Sequence, residues 1–205
     1  MKIPDEAKAQ ITAYGYRKRG NSFWKIENGF YKLINFQTGA YGDYLFINVA
    51  LHPEGMPVLS QHSKPVKNLK ESQCALRWRV EHIAEGAKAF GWKIGFSADA
   101  CDVQALLAAV MPETDSWLSR WGAYETILSA GFDELSRSFS AVPILWMKEF
   151  LLLKSYCAFK SGDKAAAAEY FSAYLNENLD MNFSYVDNYM KELLNLNSRA
   201  PLHVS

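Results

Sequence analysis

The stretch from Ser22 to Leu51 constrains the fold most. It reads SFWKI, then Asn28-Gly29, then FYKLINFQT, then a turn region from Gly39 to Asp43, then YLFINVAL. Asn-Gly between two apolar runs is a strong hairpin signal, because both residues tolerate the positive φ that a tight turn requires. An antiparallel meander is the expected result. A fourth strand is expected in ALRWRVEHI, where Leu76, Trp78 and Val80 share one face and Arg77, Arg79 and Glu81 the other. Between them, His52 to Lys70 contains Pro53, Gly55, Pro57 and Pro65 and is expected to be an irregular excursion over the surface.

The period-two pattern predicts two unlike faces. Ile34, Phe36, Leu45, Ile47 and Val49 fall on one side; Tyr31, Asn35, Gln37, Tyr44, Asn48, Arg77 and Arg79 fall on the other. That second set is polar and aromatic. It reads either as a solvated face, partly covered by C-terminal helices with its arginines paired to acids, or as a docking surface. Tyr and Arg concentrate where interfaces derive most of their energy, so these seven residues form the candidate binding site.

Helices are expected on both sides of the sheet segment. Pro4 suits a first helical turn, and Ala7, Ile11 and Tyr14 recur on one face before Gly15 stops the run. Further on, Asp99 is expected to cap a helix from Ala100 to about Val110, closed by Pro112. Trp117 to Ser129 should form another, ending at Gly131. The stretch from Ile144 to Lys160 is apolar nearly all round, which predicts burial between neighbours. Ser161-Gly162-Asp163 should end it and cap the next helix, AAAAEYFSAYL, and Ser184 with Asp187 should open the last. The fold class is therefore α+β: an N-terminal helix on an antiparallel sheet of about four strands, then a C-terminal helical bundle. The expected division is 1–112 and 113–205.

Composition narrows the function. Hydrophobic residues make up 49% and charged residues 21%, the balance of an ordinary globular chain. The richest apolar stretch, AVPILWMKEFLLL, is broken by Pro143, Lys148 and Glu149, so no membrane span is expected. MKIPDEAKAQ lacks a basic segment followed by an apolar one, so no secretory signal is expected and the cytoplasm is the default location. Cys74, Cys101 and Cys157 are odd in number and have no C-x-x-C spacing, which predicts small buried hydrophobes rather than disulfides or a zinc site. The formal net charge of zero conceals an asymmetry. Residues 1–93 carry fourteen Lys plus Arg against eight Asp plus Glu, and residues 94–205 the reverse, eight against fourteen. Either the halves attract each other in the fold, or each presents a field to a partner.

The segment YGYRKRGNSFWKI sets Arg17, Lys18, Arg19 and Lys25 among aromatic residues. A nucleic-acid site needs such a basic patch beside aromatic platforms. Against that, Gly15 and Gly20 bracket a turn, cations suit the C-terminal end of a helix, and the zero charge gives no phosphate-binding footprint. Nucleic acid is not the expected partner. His52, His62, His82 and His203 have no ligand spacing, so no metal and no cofactor are expected. Cys74 and His82, even on one strand face, would stand roughly 26 Å apart at ~3.3 Å per residue, too far for a nucleophile and its base. No P-loop, G-x-S-x-G or dinucleotide fingerprint is present. No catalytic residue is expected.

The opening helix, the string GYRKRGxxFW, the strand ending in NFQ, the strand YLFINVAL and CxLRWR together resemble a family of small bacterial domains of unknown function. Its opening is G-F-K-K-x-G, which Gly15, Tyr16, Arg17, Lys18 and Gly20 fit with Tyr in place of Phe. The resemblance spans residues 1–110 and implies a helix packed on an antiparallel sheet; it implies no reaction or cofactor. LLLKSYCAFKSGDKAAAAEYFSAYL resembles a single tetratricopeptide-like helical hairpin, with Ala158 and Ala167 near the contact. Repeat arrays need about three units to bury their faces, so this one is expected to pack on neighbouring helices.

The leading expectation is a non-catalytic protein-binding module, in its most concrete form an immunity-type inhibitor that covers the active cleft of a toxin domain. The alternatives are an enzyme or small-molecule binder with a pocket between sheet and helices, and RNA binding through Arg17 to Lys25. Oligomeric state is left open by the sequence.

Overall fold

The computed structural model describes residues 3–41, 44–59, 65, 68–90, 96–97, 102–138, 146–177 and 183–196. Helix α1 runs over Asp5–Ala13, behind Pro4, and buries Ala7 and Ile11. Gly15 follows at φ +83°, and its amide donates to the Thr12 carbonyl at 2.9 Å, so the helix ends where a left-handed residue permits. Four strands then run in sequence: β1 Arg17–Arg19, β2 Ser22–Glu27, β3 Phe30–Thr38 and β4 Tyr44–Pro53. Each pairs antiparallel with the next, and β5, Leu76–Arg79, pairs with β4. A short β6, Phe96–Ser97, joins the other end of β4. The expected α+β architecture with a helix on an antiparallel sheet is present, and among the described residues the sheet has six strands where about four are expected.

The extra strands have local causes. Arg17–Arg19 was expected as a turn, yet it pairs with β2 because Gly20, at φ +60°, occupies the first central position of a two-residue hairpin turn. At the next hairpin Asn28 and Gly29 have φ of 53° and 77°, the pair of positive angles that the sequence predicts. The fourth expected strand is shorter than ALRWRVEHI. After Arg79 the chain turns into a 3-10 helix over Val80–His82, closed by Ile83 and Ala84 amides on the Val80 carbonyl.

One face of the sheet carries the core. Phe23, Phe30, Ile34, Leu45, Val49 and Leu51 are fully enclosed, each contributing roughly 1.5–3 kcal/mol of apolar burial. They pack under α1 and under α2, Val103–Trp121. Asp102, not Asp99, caps α2: its carboxylate accepts the amides of Gln104 and Ala105 at 3.0 and 3.1 Å. Asp99 itself lies outside the described residues.

Pro112 does not close α2. It sits inside the helix on the solvent side, while Val110, Met111, Thr114, Leu118 and Trp121 are buried on the core side. The lost amide costs one backbone bond, and the apolar stripe on both flanks keeps the helix in register. α2 thus carries the chain across the expected division at 112/113. The predicted helix over Trp117–Ser129 is two pieces, since α2 ends at Gly122 and α3 covers Tyr124–Ser129. A Cβ at Gly122 would stand 2.7 Å from the Leu118 carbonyl oxygen and 3.0 Å from Lys32 Cε, so the end of α2 leaves no room for a side chain there.

Helix α4, Phe132–Ser138, leads toward α5, Met147–Lys160, which packs against α6, Lys164–Asn176. The sequence signals at this corner hold: Gly162 has φ +88° and Asp163 accepts the Ala166 amide at 2.9 Å. α5 is buried along most of its length, as its apolar surround predicts. Two of its lysines are buried too, and each caps another helix. Lys148 Nζ donates to the carbonyls of Tyr174 and Glu177 at 3.0 Å, and Lys154 Nζ to that of Leu128 at 2.5 Å. The last helix, α7, Ser184–Leu193, is not opened by a Ser184 cap. Phe183 holds the cap position, and the Asp187 carboxylate instead accepts the Tyr174 hydroxyl at 2.7 Å. No described helix is long and apolar enough to cross a membrane.

Candidate functional site

The strand register sorts the site residues. Asn35 pairs with Asn48, Asn48 with Arg79 and Ala50 with Arg77, while Tyr31 pairs with His52 and Gln37 with Phe46. Cross-strand partners share a face, so all seven predicted residues point away from the main core. The structure then divides that face in two.

One half is covered by the chain itself. Residues 54–59 and 68–75 do not run over the surface as the prolines suggest. Val58, Leu69 and Cys74 fold back and bury Tyr31, Leu33 and Ala50 in a second apolar cluster, with Trp24 at its margin. His52 fastens this cover. Its Nδ1 accepts the Ala75 amide at 3.1 Å, which leaves the proton on Nε2 to donate to the Met56 carbonyl at 3.0 Å. Burial pushes the His52 pKa down to about 4, against the pull of that carbonyl. Tyr31 is consequently 9% exposed and is not part of an open surface. Cys74 and Cys157 are buried and burial raises both thiols, so neither is poised as a thiolate. Cys101 lies outside the described residues.

The other half is open. Gln37, Asn48, Glu71, Arg77, Trp78 and Arg79 line a cleft of about 260 Å³. Its floor is a chain of side-chain amides: Asn35 donates to Ser22 Oγ at 2.9 Å, and Asn48 Nδ2 donates to Asn35 Oδ1 at 3.4 Å and to Gln37 Oε1 at 3.1 Å. The Arg79 guanidinium lies 4.2 Å from the centre of the Phe46 ring, and Phe46 in turn stacks with Tyr44, which is 37% exposed. Arg77 is half-buried and makes no hydrogen bond or ion pair with any described residue, although Glu71 and Glu149 feel its field.

The acids around the cleft are held back from ionising. Burial raises Glu71 against the pull of Arg77 and Arg79. Burial likewise pushes Glu149, on α5, up to about 7 against Arg77. Glu81 is 2% exposed, and neither carboxylate oxygen makes a well-formed hydrogen bond with a described residue. Burial raises its pKa too, opposed by its own backbone amide and by Arg79. The sequence reading missed Phe46 and Glu71. Phe46 was legible from the same alternation that selects Tyr44 and Asn48, whereas Glu71 reaches the cleft through the fold-back of the preceding segment, which no local pattern announces.

The basic segment is not one patch. Arg17 and Arg19 share the outer face, where Arg17 lies 6.0 Å from the Trp24 ring and Arg19 donates to the Leu69 carbonyl at 2.7 Å. Lys25 belongs to the opposite face. There it donates to Asp115 at 2.8 Å, beneath the Tyr16 ring at 4.7 Å. Lys18 is exposed on the rim. Among the described residues no three His, Cys, Asp or Glu side chains converge as a metal site.

No curated protein and no solved structure matches the chain. A family model described as "Domain of unknown function (DUF4304)" matches residues 8–116, from within α1, through the whole sheet, to the middle of α2. That span is more than half of the 205 residues and includes every described residue lining the cleft, so the chain belongs to the DUF4304 family of domains of unknown function.

Proposed function

We propose that this chain is a non-catalytic module that binds another protein through the open half of its outer sheet face. The observation that carries the reading is the cleft in which Arg77 and Arg79 stand over a rigid amide floor beside the Tyr44–Phe46 stack. Side chains on a paired sheet lose little further freedom on binding, and Tyr and Arg on such a base are the residue types that anchor interfaces. The concrete form of the proposal is an immunity-type inhibitor, cytoplasmic and bacterial, that covers the active cleft of a toxin domain. The α5–α6 hairpin, with Ala158 and Ala167 fully buried, is tetratricopeptide-like in its small-residue contact and acts as a support rather than a peptide groove.

The test is co-purification of the tagged full chain from its native cells, beside an R77A/R79A variant. An equimolar complex that the variant loses by at least about tenfold is the expected result. A complex retained at full strength by the variant, or no complex at all, overturns the proposal. A second reading, a small-molecule binder, draws on the cleft's volume of about 260 Å³; it places the ligand on the outer face rather than between sheet and helices.

A further inference from the structure

We propose that the cleft is a carboxylate-recognition site, into which a glutamate or aspartate side chain of the partner protein inserts. The inference rests on the protein-binding reading above and specifies its chemistry.

The floor of the cleft has a direction. Asn35 donates to Ser22, and Asn48 donates to the carbonyl oxygens of both Asn35 and Gln37. Along this chain the side-chain carbonyls of Asn35 and Gln37 are consumed internally. Gln37 ends the chain with its carbonyl used, and its NH2 makes no hydrogen bond with a described residue. The cleft's donors are therefore the Gln37 NH2 and the arginines, beside the acceptor oxygens of Asn48 and Glu71. Arg77 adds a guanidinium that is half-buried yet makes no hydrogen bond or ion pair with a described residue. A half-buried guanidinium without an acceptor is unusual, since its planar fork is suited to two parallel bonds with a carboxylate. Arg77 and Arg79 alternate on β5, so both project from one face roughly 6–7 Å apart. An incoming carboxylate can meet the Arg77 fork, with the positive charge of Arg79 beside it.

The described acids leave the Arg77 fork open. Glu71 lines the cleft, yet it forms no ion pair with Arg77 within 4 Å. Burial raises its pKa, opposed by Arg77 and Arg79. The flanking Tyr44–Phe46 pair supplies an apolar and aromatic shoulder of the kind that excludes water around a central polar anchor. An acidic side chain on a protein segment satisfies both features at once: the carboxylate meets the guanidinium groups and the backbone around it packs on the aromatic rings.

The experiment follows the Arg Nε–Hε resonances of the full chain by NMR at about 0.15 M salt, where diffuse surface attraction is screened. The probes are a capped hexaglutamate peptide, a capped hexaglutamine peptide and inorganic phosphate. The expected result is a saturable shift at Arg77 with hexaglutamate alone. Affinity should fall at least about tenfold in R77A/R79A and change less than about twofold in R17A/R19A. R77K/R79K keeps both charges without the planar fork and should also bind several-fold more weakly, which covers the case in which the alanine variant does not fold. Equal binding of hexaglutamine, equal loss in R17A/R19A, a response to phosphate without one to hexaglutamate, or no response at Arg77 would each overturn the proposal. Failure here with a surviving Arg77-dependent protein complex removes the carboxylate assignment alone. Binding of hexaglutamate with no protein complex removes the module and leaves the site.

Discussion

Lys25 on β2 and Asp115 on α2 meet at 2.8 Å, and the hydroxyl of buried Tyr16 donates to the same carboxylate at 3.1 Å. This pair joins the basic N-terminal part of the chain to the acidic C-terminal part. Both side chains are largely enclosed, at 11% and 22% exposure. Replacing Asp115 with alanine removes the acceptor of the Tyr16 phenol and leaves Lys25 with Glu27 at 3.6 Å and the Tyr14 carbonyl at 3.3 Å. The expected loss is about 2–4 kcal/mol in urea denaturation, with K25A/D115A costing less than the two single changes combined. Strict additivity would show that the contact does not contribute.

The His52 staple makes stability depend on pH. The imidazole titrates at about 4 in the fold, below its ordinary 6.5, so the unfolded chain takes up the proton first as pH falls. Its contribution is complete above pH ~6.5 and is lost progressively from there down to about pH 4, by about 2 kcal/mol between pH 7 and 5. Denaturation midpoints measured across that window should fall in the native chain and fall less in H52F. Identical pH profiles would remove His52 from the account.

Gly29 combines two constraints. It has φ +77°, and a Cβ there would collide with the Tyr124 hydroxyl, which donates to the Gly29 carbonyl at 3.2 Å. G29A should cost about 1–2 kcal/mol from the backbone alone and more from the collision. Adding Y124F should recover part of the loss; thermal unfolding of the three variants checks it.

Lys148 should behave as a cap rather than a surface charge. K148M keeps the length of the side chain but leaves the Tyr174 and Glu177 carbonyls without their donor. The expected loss is about 1–3 kcal/mol with an unchanged urea slope. A change within about 0.5 kcal/mol would mean that water serves those carbonyls as well.

Legibility in the sequence followed the range of the forces involved. Asn28-Gly29, Gly15 and Asp163 act over a few residues, and each stands where its local chemistry requires. The two sheet faces were readable because alternation is also local. The cover over Tyr31 was not, since Val58, Leu69 and Cys74 are apolar residues scattered among turn formers and find the sheet only through tertiary packing. Pro112 misled for the same reason: a weak local penalty is outweighed by a stripe of buried contacts extending to Trp121. In the candidate site the residue types and their shared face were visible beforehand. Which of them stay open to a ligand was decided by a segment whose path has no periodic signature.

β1 is the rim of the sheet among the described strands, and all three of its residues, Arg17, Lys18 and Arg19, are exposed. A rim offers unpaired amides and carbonyls to any passing strand, including one from another copy of the chain. Two molecules approaching rim to rim would press an Arg-Lys-Arg triplet against its twin, and mutual repulsion would part them before hydrogen bonds could form. Like charges along the rim of YGYRKRG therefore oppose fibril-like stacking, an effect that asks for nothing more than their sign.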